Sequence, residues 1–109
     1  MIIATMTHHV RAGLLDVALR RIGENTDQMA RQPGFVFRHA GSPAGQPLTV
    51  VTVTGWESEA DMANWEASSR PTAGADAGAS VYERLERSVI TVTDERWAKS
   101  VGWRVATAS

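Results

Sequence analysis

The chain has no cysteine. That excludes disulfides, thiolate nucleophiles, iron–sulfur clusters and cysteine-bound zinc. Lysine is nearly absent as well: Lys99 stands alone among arginines. Neither sign of charge is in excess. Eleven basic and twelve acidic residues give a net charge of −1, so nucleic acid is not an expected partner. No apolar run approaches the ~20 residues that span a bilayer, and no membrane partner is expected. The start Met1-Ile2-Ile3-Ala4-Thr5 lacks a basic n-region and a long apolar core. No signal peptide is therefore expected, and the cytoplasm is the expected location. G-x-S-x-G, phosphate-loop and dinucleotide fingerprints are missing too. With no internal repeat and no dividing linker, the 109 residues are expected to form one domain, a core over about 2–94 with a tail over 95–109.

The hydrophobic pattern supplies the architecture. Residues 2–10 alternate as a strand, with Ile2, Ala4, Met6 and His8 on one face and Ile3, Thr5, Thr7 and His9 on the other. Apolar or β-branched groups on both faces predict a strand covered on both sides. Arg11-Ala12-Gly13 breaks it. From Leu14 to about Arg31, Leu15, Ala18, Leu19, Ile22 and Met29 recur at helical spacing, and Pro33-Gly34 stops the run. Residues 35–40 predict a second strand, with Phe35, Phe37 and His39 opposite Val36, Arg38 and Ala40. A turn-rich loop over 41–47 leads to the clearest strand, Leu48 to Trp56. Ser58 caps the next helix and Asp61 follows three residues later, an imperfect capping box; Met62 and Trp65 then face one way. The Pro-, Gly- and Ala-rich stretch from Arg70 to Gly78 predicts a mobile loop. Ser80 with Glu83 resembles another capping box, with Val81 and Leu85 as a short apolar stripe. Residues 88–94 predict the last strand. Trp97, Val101 and Trp103 in the tail are expected to dock on the core or on a partner subunit. The order β-α-β-β-α-β is a split β-α-β unit, an α+β fold.

A basic-Gly turn after the first strand, a helix ending in Pro33-Gly34-Phe35, a strand ending in Trp56-Glu57-Ser58-Glu59 and a helix carrying Trp65 together resemble the antibiotic biosynthesis monooxygenase superfamily. The resemblance covers roughly residues 2–94. It implies a ferredoxin-like subunit whose sheet pairs with a second copy into a dimeric α/β barrel, with a pocket between sheet and helices. Members of this kind include cofactor-free oxygenases of aromatic polyketides or quinols, haem-degrading enzymes, and proteins without an established substrate. The haem branch uses an axial histidine after the second helix, a tryptophan within it and an asparagine on the first strand. Trp65 matches the tryptophan, but no histidine lies beyond His39 and the first strand offers Met6, Thr7 and His8 instead of asparagine. The polyketide branch surrounds its substrate with tryptophan, asparagine, tyrosine and arginine, and Asn64, Trp65, Tyr82 and Arg38 are of those types.

An oxygenase without cofactor needs a base to ionise its substrate and a donor to steady the anion. Only His8, His9 and His39 can serve as a histidine base. His8 and His9 point to opposite strand faces, so one of them at most lines a given pocket. They make no metal site, because one strand face needs i and i+2 spacing and no carboxylate completes the set. The expected catalytic set is His8 or His39 as base, with Tyr82 and Arg38 beside the oxyanion. The expected substrate contacts are Trp65, Asn64, Met62, Met6 and Phe37. Each residue has a plain alternative: a solvated rim for the histidines, core packing for Trp65 and Met62, a solvated helix face for Asn64, the surface for Tyr82. Arg38 could pair with an anionic substrate or with Asp or Glu across the dimer, and the salt bridge is the stronger expectation. The function so read is a cofactor-independent monooxygenase of an aromatic or quinone-like molecule; the alternatives are a non-catalytic small-molecule-binding or stress-response module and, more remotely, haem handling.

Overall fold

The computed structural model describes residues 1–73 and 81–94. Within them the elements are β1 (Ile2–Val10), α1 (Leu15–Met29), β2 (Phe35–Gly41), β3 (Thr49–Trp56), α2 (Glu59–Ala73) and β4 (Tyr82–Thr91). The strands form one antiparallel sheet in the order β2-β3-β1-β4. The fold is α+β and ferredoxin-like, as the alternating and helical patterns predict.

Both helices lie on one face of the sheet. Ile2, Met6, His8 and Val10 of β1 turn to that face, as do Val50, Thr52, Thr54 and Trp56 of β3. The apolar core there is in two parts. Val10, Ala18, Ile22, Val50 and Val81 pack at one end of the strands. Ile2, Met29, Trp56 and Met62 pack at the other, with Phe35 and Trp65 against them. Burying each such aliphatic side chain contributes roughly 1.5–3 kcal/mol. The opposite face carries Ile3, Thr5, Thr7, Val51, Val53 and Phe37, and no described element covers it.

Local chemistry explains the element ends. Gly13 and Gly34 both adopt φ of +83°, the left-handed region that favours glycine, just before α1 and β2. The Ser58 hydroxyl accepts the Asp61 backbone N–H at 3.1 Å and donates to its carboxylate at 2.8 Å, so the Ser58 half of the box is made and the Asp61 carboxylate returns to the hydroxyl. The Gly34 carbonyl accepts the Glu57 N–H at 2.8 Å, fastening the start of β2 to the turn after β3.

Three expectations are corrected. The segment from 82 to 87 is strand, not helix: β4 pairs with β1 along almost its whole length. Its sequence, Tyr82-Glu83-Arg84-Leu85-Glu86-Arg87, hides this because it is an edge strand, and charge on an edge strand blocks pairing with foreign strands. Phe35 and Phe37 do not share a face. A bulge at Val36 sets Phe35 opposite Trp56 and Phe37 opposite Gly55, neighbours on β3 that point opposite ways. Helix α2 runs on to Ala73, past Arg70 and Pro71, so the loop expected from Arg70 does not begin there. The remainder of that stretch, the Ser80 half of the second capping box, and the tail with Trp97, Val101 and Trp103 lie outside the described residues.

Gly34 and Gly13 make a controlled comparison. A Cβ at Gly34 would strike the Asp61 side chain, whereas one at Gly13 meets open space. Gly13→Ala is expected to cost about 1 kcal/mol for backbone conformation alone, and Gly34→Ala at least about 2 kcal/mol more from the added clash. Urea unfolding of the two variants measures the difference; equal losses would contradict the packing at Asp61.

Candidate active site

Beneath Trp65, between the sheet and the two helices, lies a cavity of about 170 Å³. Met6, Thr52 and Thr54 form part of its floor, and Met29, Met62 and Trp65 part of its helix side. Most of its polar groups come from the strands, where the two apolar clusters leave off, and Asn25 and Glu66 come from the helices.

His8 is one of them, and only 8% exposed. Its Nδ1 lies 2.9 Å from the Val50 carbonyl oxygen. A carbonyl can only accept, so Nδ1 carries a proton and, in the neutral ring, Nε2 is the basic nitrogen. Burial pushes the imidazole pKa below its ordinary 6.5, and the Arg38 charge pushes the same way; the Val50 and Met6 carbonyls oppose both. The Tyr82 ring tilts against His8 with centroids 5.1 Å apart. Burial raises the Tyr82 hydroxyl pKa, with Arg21 and Arg38 pulling it back, so the phenol is neutral at pH 7 and able to donate.

Arg38 reaches the cavity because of the bulge at Val36, which sets it opposite Thr54 on the helix face. Its Nη1 donates to the Met29 sulfur at 3.0 Å and to Thr54 Oγ1 at 3.4 Å, and its buried Nε has no partner. Burial lowers its pKa, and a guanidinium remains charged in proteins all the same. No carboxylate among the described residues is paired with it. The salt bridge expected across a dimer would need Arg38 on the uncovered face, and it points the other way. Arg87, also on the cavity wall, is different: it grips Glu66 of α2 with Nε at 3.0 Å and Nη2 at 2.7 Å from Oε2.

Of the residues singled out from sequence, His8, Arg38, Met6, Met62 and Trp65 come together around the cavity, with Tyr82 packed behind His8. Three do not join them. Phe37 and His39 lie on the uncovered face, their rings 5.4 Å apart, and Asn64 is exposed on α2 outside the lining. Sequence reading passed over Asn25, Thr52, Thr54, Glu66 and Arg87. Strand alternation could have found the threonines, which share parity with Trp56. Arg87 was hidden by the helical reading of β4. Among the described residues no group of three or more histidine, aspartate or glutamate side chains could hold a metal ion, and no helix is long and apolar enough to cross a membrane.

Comparison with known proteins bears on this geometry. The family model for antibiotic biosynthesis monooxygenases matches residues 1–77. No curated protein matches the chain. Among solved structures, SnoaB, a cofactor-independent oxygenase from Streptomyces nogalater, is similar with a TM-score of 0.74 at 17% identity, covering 86% of this chain and 94% of its own. A conserved protein from Methanosarcina mazei gives 0.76 at 9% identity, covering 84% and 92%. A Deinococcus radiodurans protein described as a candidate antibiotic biosynthesis monooxygenase gives 0.79 at 14%, covering 87% and 95%. At such identities the structural similarities speak for the fold.

The lowered His8 pKa has a consequence for stability. The unfolded chain binds a proton at His8 near pH 6.5, while the folded chain resists it until lower pH. Stability from this group is therefore complete above about pH 6.5 and is lost as pH falls through the folded pKa. The urea midpoint is expected to drop between pH 7.5 and pH 5, and His8→Gln is expected to flatten that slope. An unchanged slope in the variant would show that His8 is not the group responsible.

Proposed function

We propose that this chain, which belongs to the antibiotic biosynthesis monooxygenase family, is a cofactor-independent monooxygenase of a phenolic or hydroquinone-like aromatic ring bound in the cavity beneath Trp65. The observation that carries this reading is His8, a buried neutral imidazole with Nδ1–H committed to a backbone carbonyl, in a cavity that also holds a guanidinium.

A phenol gives electrons to dioxygen reluctantly; its anion gives them readily. In the proposed cycle His8 Nε2 takes the phenolic proton and Arg38 steadies the negative oxygen, while Tyr82, behind His8, holds the imidazole in place. The anion reduces dioxygen, and a carbon–oxygen bond forms at a ring carbon. His8 returns its proton to the resulting peroxide. The oxygen–oxygen bond then breaks, the outer oxygen leaves as water with the hydrogen of that carbon, and the inner oxygen stays as a carbonyl. A hydroquinone plus dioxygen thus gives a hydroxyquinone plus water, with every electron drawn from the substrate. Trp65 and Met62 bound the ring on the helix side.

The second part of the proposal is a homodimer. The uncovered sheet face presents Ile3, Val51, Val53, Phe37 and a 54%-exposed Ile90, a surface better suited to a second copy than to water.

Two measurements test these statements. Oxygen uptake with a panel of hydroquinones and anthrones should exceed the buffer rate, and His8→Gln should lower kcat roughly 10²- to 10⁴-fold without loss of fold. Ligand binding without oxygen uptake would leave a non-catalytic binding module. Sedimentation at micromolar concentration should give twice the chain mass; a monomer would refute the dimer.

A further inference from the structure

Among the described residues, Arg38 is the one cation on the cavity wall for which the structure offers no counter-charge. The other, Arg87, is neutralised by a two-pronged grip on Glu66. Arg38 has a thioether sulfur, a hydroxyl and a buried Nε with nothing to donate to. A half-buried charge with no ion-pair partner, its Nε shut off from water, calls for an account. Internal stability does not supply it. A methionine or leucine would fill the space beside Met29 and Thr54 with no guanidinium to desolvate. A polar rim does not supply it either, since the bulge turns the side chain to the helix face, where its Nε is shut off from water.

We infer that Arg38 is the receptor for a carboxylate on the substrate, so that the ligand of this cavity is an aromatic acid with one ring seated beneath Trp65. The inference rests on reading the cavity as the substrate site. Three observations join in it. A half-buried cation without a counter-charge selects a ligand that is already charged on entry. A phenol enters neutral and leaves Arg38 unpaired in the bound ground state, whereas a carboxylate, with a pKa of about 4, arrives ionised. The planar guanidinium matches a carboxylate with paired hydrogen bonds, and drawing it into the cavity gives Nε the acceptor it lacks. Finally, about 170 Å³ holds one ring with small substituents; a dry cavity of about 150 Å³ accepts benzene. His8 stays available for the hydroxyl, because its neutral ring does not compete for the anion.

The test is binding under anaerobic conditions, which separates recognition from chemistry. By calorimetry, 2,5-dihydroxybenzoate is expected to bind roughly ten- to a hundredfold more tightly than its neutral counterparts 2,5-dihydroxybenzamide and hydroquinone. Arg38→Met should bring the benzoate down to the amide's affinity while leaving the amide unchanged or improved. Arg38→Lys, which keeps the charge and loses the fork, should retain part of the preference. Arg38→Gln is the second neutral variant should Arg38→Met not fold. Equal affinities of benzoate and amide for the natural chain overturn the inference, as does a preference that survives both neutral Arg38 variants or that vanishes with Arg87→Met instead. The two readings fail separately. Arg38-dependent benzoate binding without oxygen uptake removes the oxygenase and keeps the acid pocket. Oxygen uptake on neutral hydroquinones with no carboxylate preference does the reverse.

Discussion

The constraint on which everything else depends is a band of polar side chains across the middle of a buried sheet face. His8, Thr52 and Thr54 are each less than 9% exposed, yet they stand where an ordinary sheet would carry valine or isoleucine. Such groups need partners, and close apolar packing over them would leave hydroxyls and ring nitrogens unsatisfied. The core therefore forms at the two ends of the strands, around Val50 and around Trp56, and opens between them. The hollow is a consequence of the strand sequences, and the helices only roof it.

Within that hollow the charges are arranged by position more than by pairing. His8 is kept neutral by burial and by a neighbouring cation, and its tautomer is fixed by a main-chain oxygen that cannot move without breaking the β1–β3 ladder. The same burial raises the pKa of the Tyr82 hydroxyl, which is protonated at neutral pH in any case. One group that accepts a proton thus rests against another that donates a hydrogen bond, with a permanent positive charge close by. In water these tendencies would be weak. Here the low polarity of Met29, Met62 and Trp65 strengthens each of them.

Much of this is legible in the chain and some is not, for reasons that can be named. Residues 2–10 and 49–56 alternate strictly because both are central strands with a constant parity, so alternation alone matches His8 to Met6 and Ile2. The first helix is legible from Ala18, Ile22 and Met29, and its end from Pro33-Gly34. β4 is not, because an edge strand held by a single neighbour can carry Glu83, Arg84, Glu86 and Arg87, and such a run has no strand-like alternation. With β4 misread, Arg87 and its hold on Glu66 disappear from view. The facing of Phe37, Arg38 and His39 is lost to an irregularity that no period can reveal. Convergence in space is the most deeply hidden: Asn25 reaches the cavity from α1, and nothing in its sequence neighbourhood marks it.

The surplus residue Val36 carries a final implication. β2 has a neighbour on one side only, so its free side can absorb an extra residue without disturbing the rest of the sheet. Were the same residues laid straight from Phe35 onward, parity would invert: a phenyl ring and a second imidazole would face the hollow, and the guanidinium would face away. Two pockets of opposite character, one built to attract anions and one nearly neutral, are thus separated by a slip of a single residue in an outer strand. A lineage could trade one ligand repertoire for another by insertion or deletion at that margin, with every helix and every central strand left as it was.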